Sequence, residues 1–133
     1  MFKLIRIENG RMNVPSPVIH EVTASLAVYE GQALKLSGGK LAACGASDKP
    51  EYIAMGDKAA ADENRQLAVC RVDAHQIYEV PVSAAPTSLK PGDKVTLSTD
   101  GLQVTATTTS GVVTVENLNG AAATGDTIIV RIV

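Results

Sequence analysis

The sequence predicts an all-β protein, with two duplicated small β-barrel or sandwich units of about sixty residues each packed as one compact domain behind an N-terminal arm. Three observations carry this expectation. Apolar and polar residues alternate with a period of two through most of the chain, the pattern of strands with one buried face. Gly, Asp, Asn and Ser punctuate the apolar stretches at short intervals. Finally, Gly31-Gln32-Ala33-Leu34-Lys35-Leu36-Ser37 lies over Gly92-Asp93-Lys94-Val95-Thr96-Leu97-Ser98 at an offset of 61 residues (92 − 31).

The elements follow in chain order. Phe2–Ile7 reads as a short strand ending in a turn at Glu8-Asn9-Gly10-Arg11, and Pro15 and Pro17 keep the next stretch extended. In Val22–Tyr29 the even positions carry Val, Ala, Leu and Val, which predicts a half-buried strand. Leu34 and Leu36, the turn Ser37-Gly38-Gly39-Lys40, and Leu41 form a hairpin, because the two glycines tolerate positive φ. A second hairpin is expected from Val95 and Leu97, the turn Thr99-Asp100-Gly101, and Leu102, Val104 and Ala106. Further strands are predicted at Tyr52–Met55, Leu67–Val72, Gln76–Val82, Val112–Val115 and Thr127–Val133. The last is nearly continuous in β-branched residues and is expected to be buried on both faces.

Residues 59–66 have helix-forming composition, but the repeat sets them opposite the glycine-bearing stretch 120–126, so a loop is expected there. The same repeat sets Tyr52–Met55 over Val112–Val115 and Leu67–Val69 over Ile128–Val130. The organisation read from it is an arm over 1–21, a first unit over 22–72, a connecting segment over 73–87 and a second unit over 88–133.

The 133 residues and 13.8 kDa suit one domain that buries about two-thirds of its unfolded surface. Twelve basic against fourteen acidic residues, with no basic block, exclude a phosphate-tracking surface and hence nucleic acid as a partner. The absence of Trp and the presence of only Phe2, Tyr29, Tyr52 and Tyr78 leave few rings for stacking on bases or sugars. Charge interrupts the first eight residues, and no long apolar run follows, so a soluble protein made in the cytoplasm, with no membrane partner, is expected.

Chemistry-bearing residues are sparse. His20 and His75 lack companions at metal-ligand spacing, and Cys44 and Cys70 are read as unbonded, Cys70 as a small buried hydrophobe. No serine sits in an elbow motif, and Gly38-Gly39-Lys40 lacks the rest of a phosphate loop. Asp57, Asp93 and Asp126 each follow a glycine, which points to a reused turn. Arg71 and Arg131 fall near the ends of equivalent strands and read as rim charges. No catalytic residue, cofactor or metal site is expected. A ligand- or glycan-binding β-barrel module is the alternative, and an enzyme using Asp73, His75 and Glu79 is a third reading.

The succession Thr23–Leu34, Gly39-Lys40-Leu41, Lys49–Met55 and Lys90–Val95, closed by Ala121–Val133, resembles the small capsid decoration (cement) proteins of tailed bacteriophages and prophages. The same resemblance covers head-fibre-like phage proteins. It spans residues 22–133 and rests on packing and turn signatures. It implies a structural accessory that binds and stabilises the outer surface of the assembled head by favouring the expanded shell. The implied partners are the major capsid protein and other copies of the chain, as in a trimer. An N-terminal arm would add to the capsid contact, and Phe2, Leu4, Ile5 and Ile7 are its apolar candidates. Because this arm lies outside the repeat, removing residues 1–12 is expected to leave thermal unfolding nearly unchanged.

Overall fold

The architecture comes from a computed structural model that describes residues 1–8 and 16–133. The Asn9–Arg11 part of the expected turn and the stretch at Pro15 lie outside the described residues. Ten strands form two five-stranded antiparallel sheets, with no helix among the described residues. One sheet holds β2 (Val18–Glu21), β3 (Ala33–Ser37), β4 (Lys40–Ala43), β5 (Tyr52–Ala54) and β6 (Gln66–Arg71), in the order β2-β6-β5-β3-β4. The other holds β1 (Lys3–Ile7), β7 (Gln76–Pro81), β8 (Lys94–Val95), β9 (Val113–Asn117) and β10 (Thr127–Arg131), in the order β1-β7-β10-β9-β8.

Several bonds recur in the two sheets. Gly31 N–H donates to Ala54 O at 2.8 Å, and Gly92 N–H to Val115 O at 2.7 Å. Ala54 N–H donates to Gln32 O at 3.0 Å, and Val115 N–H to Asp93 O at 2.8 Å. The Tyr29 amide bonds the Gln32 side chain at 2.9 Å, as the Lys90 amide bonds that of Asp93 at 2.8 Å. Gly31 and Gly92 sit at φ +77° and +95°, where any Cβ is strained. Single parallel bridges, Val22 to Leu41 and Val82 to Val104, bring the segment after β2 back to β4 and the segment after β7 back to Val104. These bonds set Ala54 opposite Val115, so Tyr52–Met55 falls over residues 113–116, one position beyond the alignment read from sequence.

Two buried clusters fill the molecule. Val22, Val28, Leu34, Leu41, Tyr52, Ala54, Leu67 and Val69 form one. The other gathers the inward side chains of β7, β9 and β10 and reaches across to Ala33, Cys44 and Ile53 of the first sheet. Tyr52 and Ala54 therefore face one core while Ile53, between them on β5, faces the other. All three are buried, so this short strand welds the two cores together.

Several sequence expectations need correction. Residues 22–29 are not a continuous strand. Val22 and Val28 each make a single bridge, and between them Ser25 takes φ +62°. Their side chains are fully buried without a ladder, whereas Ala24 is exposed and Leu26 half-buried, so the alternation in sequence is not kept as alternating burial where the chain turns. The second hairpin is irregular. Beyond Val95 it continues through bonds such as Ser98 N–H to Gln103 O at 2.9 Å, while the Leu97 amide instead reaches Ala46 O at 2.9 Å in the other half. The final strand is not buried on both faces: Ile128 and Val130 are buried, whereas Ile129 and Arg131 are half-buried. The segment 73–87 does more than connect, since β7 lies within it and pairs with both β1 and β10.

The largest departure concerns the N-terminus. β1 pairs antiparallel with β7 from Lys3↔Glu79 to Ile7↔Gln76, with an irregularity between Leu4 and Arg6. Phe2 is 3% exposed, and its ring meets Tyr78 edge-on at 6.0 Å between centroids. The reason is the alternation of Phe2 and Leu4, which places both on the face that covers the second core. Residues 59–65, by contrast, are the expected loop, and Gln66 opens β6. The expected hairpin β3–β4 forms, with Gly38 and Gly39 at φ +58° and +79°.

Candidate functional site

The seam between the two sheets is where side chains of different elements meet. The Phe2 amide donates to Gly31 O at 2.8 Å, and the Ala33 amide donates to Gly101 O at 2.9 Å. An apolar groove of about 230 Å³ opens along this seam, lined in part by Met1, Leu4, Met55 and Cys70. Beside it lies a polar chain. The Tyr78 hydroxyl donates to Gln76 Oε1 at 2.7 Å, and Gln76 Nε2 donates to Arg71 O at 3.1 Å. Gln76 is 2% exposed. Among the described residues, no buried side-chain nitrogen or oxygen lacks a partner, and this chain of bonds fastens the seam.

Burial pushes the Cys44 thiol up to about 12 and raises that of Cys70 as well. Both cysteines are unbonded, as expected, and neither has the depressed titration of a nucleophile. Tyr78 is also raised by burial. Arg131, near the C-terminal end of β10, is a hub: its guanidinium bonds Glu116 at 2.8 Å, the Ala74 carbonyl at 2.6 Å, and Glu8. The hydrogen bond from Arg131, then that from Arg6, holds the Glu8 carboxyl below its ordinary range. Arg131 thus pairs across strands, while Arg71 is exposed.

Asp73 and His75 share one exposed turn, with His75 Nδ1 at 3.1 Å and the His75 amide at 2.8 Å from Asp73 Oδ1. Glu79, four residues beyond His75 on β7, instead accepts the Thr127 hydroxyl at 2.8 Å. His20 packs edge-on against Tyr52 at 4.9 Å. Among the described residues, no group of three His, Cys, Asp or Glu is arranged to hold a metal ion. Asp93 accepts the amide of Lys90 and Asp126 those of Ala122 and Ala123, as turn caps, whereas Asp57 reaches the amide of Glu30, 27 residues away, and so ties two loops together.

Of the arm candidates, Phe2 and Leu4 pack into the core, Ile7 is half-buried, and Ile5 is 43% exposed. Sequence reading missed a second apolar surface. Ile19 on β2 pairs with Ala68 on β6, and the Met55 amide bonds Ala68 O at 3.1 Å, so Ile19 and Met55 flank Ala68 in one row. The repeat read from sequence sets Met55 over the apolar Val115 and leaves Ile19 in the arm, so the charged counterparts, Glu116 and Glu79, emerge only from the strand registers. Lys58 was also missed: it is 5% exposed, with its ammonium held by the carbonyls of Ala59 at 2.9 Å and Leu26 at 3.4 Å.

The fold and the seam define an all-β protein of two sheets in which the buried side-chain polar atoms of the described residues are hydrogen-bonded. No protein-family model and no curated protein matches the sequence. In structure the chain is similar to the head fiber gp8.5 N base of bacteriophage phi29, with a TM-score of 0.60 and 18% identity. The match covers 89% of this chain and 95% of that one, so it includes both sheets as a single architecture.

Proposed function

We propose that this chain is a structural component of a tailed-phage head, seated on the outer surface of the assembled shell and stabilising it. The observation that carries this reading is the likeness to a phage head fibre base over nearly the whole of both chains. The internal satisfaction of the buried polar groups and the turn-capping carboxylates agree with it, because binding a shell needs rigid faces and no reactive pocket. The partners are the major capsid protein and further copies of the chain, with a trimer as the form to test. In the mature particle the protein resides with the virion.

The two sheets arose, on this reading, by duplication of a five-stranded unit closed on itself. The matched bonds of Gly31 and Gly92 and the bridges at Leu41 and Val104 support that origin. Duplication fused in one chain gives a wide, stiff β body at the cost of a single folding event.

The test is binding to heads of the phage whose genome carries the gene, prepared with that gene deleted. Purified protein is expected to sediment with the heads up to a fixed number of copies per particle. Protein that stays in the supernatant at every concentration overturns the proposal.

A further inference from the structure

Ile19, Tyr29 and Met55 are 57%, 56% and 42% exposed; Ile19 lies on β2 of the first sheet, and Tyr29 and Met55 flank that sheet's strands. Their counterparts in the second unit are charged. Tyr29 and Lys90 occupy the same turn position, since each amide bonds the side chain three residues on. Met55 and Glu116 each follow the residue, Ala54 or Val115, that receives the glycine bond. Ile19 pairs with Ala68 as Glu79 pairs with Ile129 in the equivalent strands. One framework therefore carries three apolar residues on one copy and three charges on the other. The framework itself tolerates charge at these positions, so the fold does not call for apolar residues there.

The three residues form one surface. Met55 shares the rim of the seam groove with Met1, and Met1 shares a second concavity with Tyr29 and Leu102. Ile19 continues the row from Met55 across Ala68. With Met1, at 50% exposed, they present on the order of 400 Å² of accessible surface.

We infer that this face, Ile19–Met55–Tyr29 with the groove between Met1 and Met55, is the surface that meets the capsid shell. The inference rests on the reading of the protein as a head component and adds to it which face is used. The size of the face selects the occupant. A non-obligate interface buries roughly 800 Å² per partner, little more than half of it apolar, so about 400 Å² is the apolar centre of such a contact. A permanent pairing of two copies needs a larger and more apolar area. Of the two partners that this reading names, the shell protein is therefore the one whose contact an area of this size fits.

The same gene-deleted heads supply the test, with the wild-type chain as the reference. Tyr29→Lys combined with Met55→Glu restores the charges of the second unit, so the fold has a precedent for both. Far-UV circular dichroism and the unfolding midpoint serve to verify folding. The double variant is expected to need at least about tenfold more protein for half-saturation of the heads, while Lys90→Ala binds like wild type. Equal binding by the double variant overturns the face assignment and leaves the head-component reading intact. Failure of the wild type to bind overturns that reading itself. If the double variant turns a wild-type oligomer into a monomer in sedimentation velocity, the face joins copies of the chain and the assignment to the shell is wrong.

Discussion

The amide of Phe2 donates to the carbonyl of Gly31 at 2.8 Å, tying the chain's first strand to a turn of the opposite sheet. β1 pairs with β7 of one sheet while Phe2 bonds the other, so these residues bridge the two halves. Phe2→Ala is therefore expected to cost about 3–5 kcal/mol of unfolding free energy, the range for emptying a buried aromatic site. Ile5→Ala, at an exposed position, should stay within about 0.5 kcal/mol of wild type. Urea unfolding of the two variants checks this pair. It also checks the sequence expectation that residues 1–12 can be removed without thermal cost, which the pairing of β1 overturns.

Gly31 and Gly92 make the same hydrogen bond in equivalent turns, yet a Cβ added at each meets different surroundings. At Gly92 nothing lies within 4 Å, whereas at Gly31 the added carbon collides with the Met1 Cβ and crowds the Phe2 carbonyl at 3.0 Å. Gly92→Ala should cost about 1–2 kcal/mol, for the left-handed backbone alone. Gly31→Ala should cost clearly more, because Met1 must also move. Equal midpoints for the two variants in a denaturant titration would argue against a tight seam at Gly31.

Acid should weaken the fold by a route whose sign follows from the carboxylates. Glu8 is held low by Arg131 and Arg6, Asp48 by Lys35 and the Gly45 amide, and Asp126 by the amides of Ala122 and Ala123. A carboxyl that titrates lower when folded binds fewer protons than in the unfolded chain. Its stabilisation is complete above the ordinary carboxylate value of about 4 and is lost as pH falls through that value toward the folded one. The urea midpoint is expected to be level between about pH 6 and 8 and to drop below about pH 5. A midpoint that rises on acidification would contradict the assignment.

Lys58 is buried with carbonyl partners and, among the described residues, no carboxylate within ion-pair distance. Lys58→Met keeps the stem packing and removes a desolvated charge, so stability should hold or rise by about 1 kcal/mol. Lys58→Ala removes the stem as well and should lose about 2 kcal/mol. Thermal melts of both variants at neutral pH decide the matter; a large loss in Lys58→Met would mean that the two carbonyl bonds dominate.

Much of the fold was legible because period-two alternation and glycine turns are local. The hairpin β3–β4, the loop at 59–65 and most strands follow from neighbours in sequence. What escaped was non-local. Val22–Tyr29 shows the alternation of a strand but lacks a ladder, because Ser25 turns the chain across a sheet end. The docking of β1 on β7 depends on residues 69 to 76 positions apart (76 − 7 and 79 − 3), for which no short-range pattern exists. The apolar face was hidden for a similar reason: Ile19, Tyr29 and Met55 stand on separate segments, and each taken alone is an ordinary exposed hydrophobe.

The central claim is that the protein sits on the outside of a phage head. Cryo-electron microscopy of two head preparations tests it most directly, one from phage lacking the gene and one after saturation with the purified chain. The account predicts difference density on the outer surface, repeated with the symmetry of the shell and fitted by the two-sheet body with the Ile19–Met55–Tyr29 face inward. Maps that are identical outside the shell would contradict it.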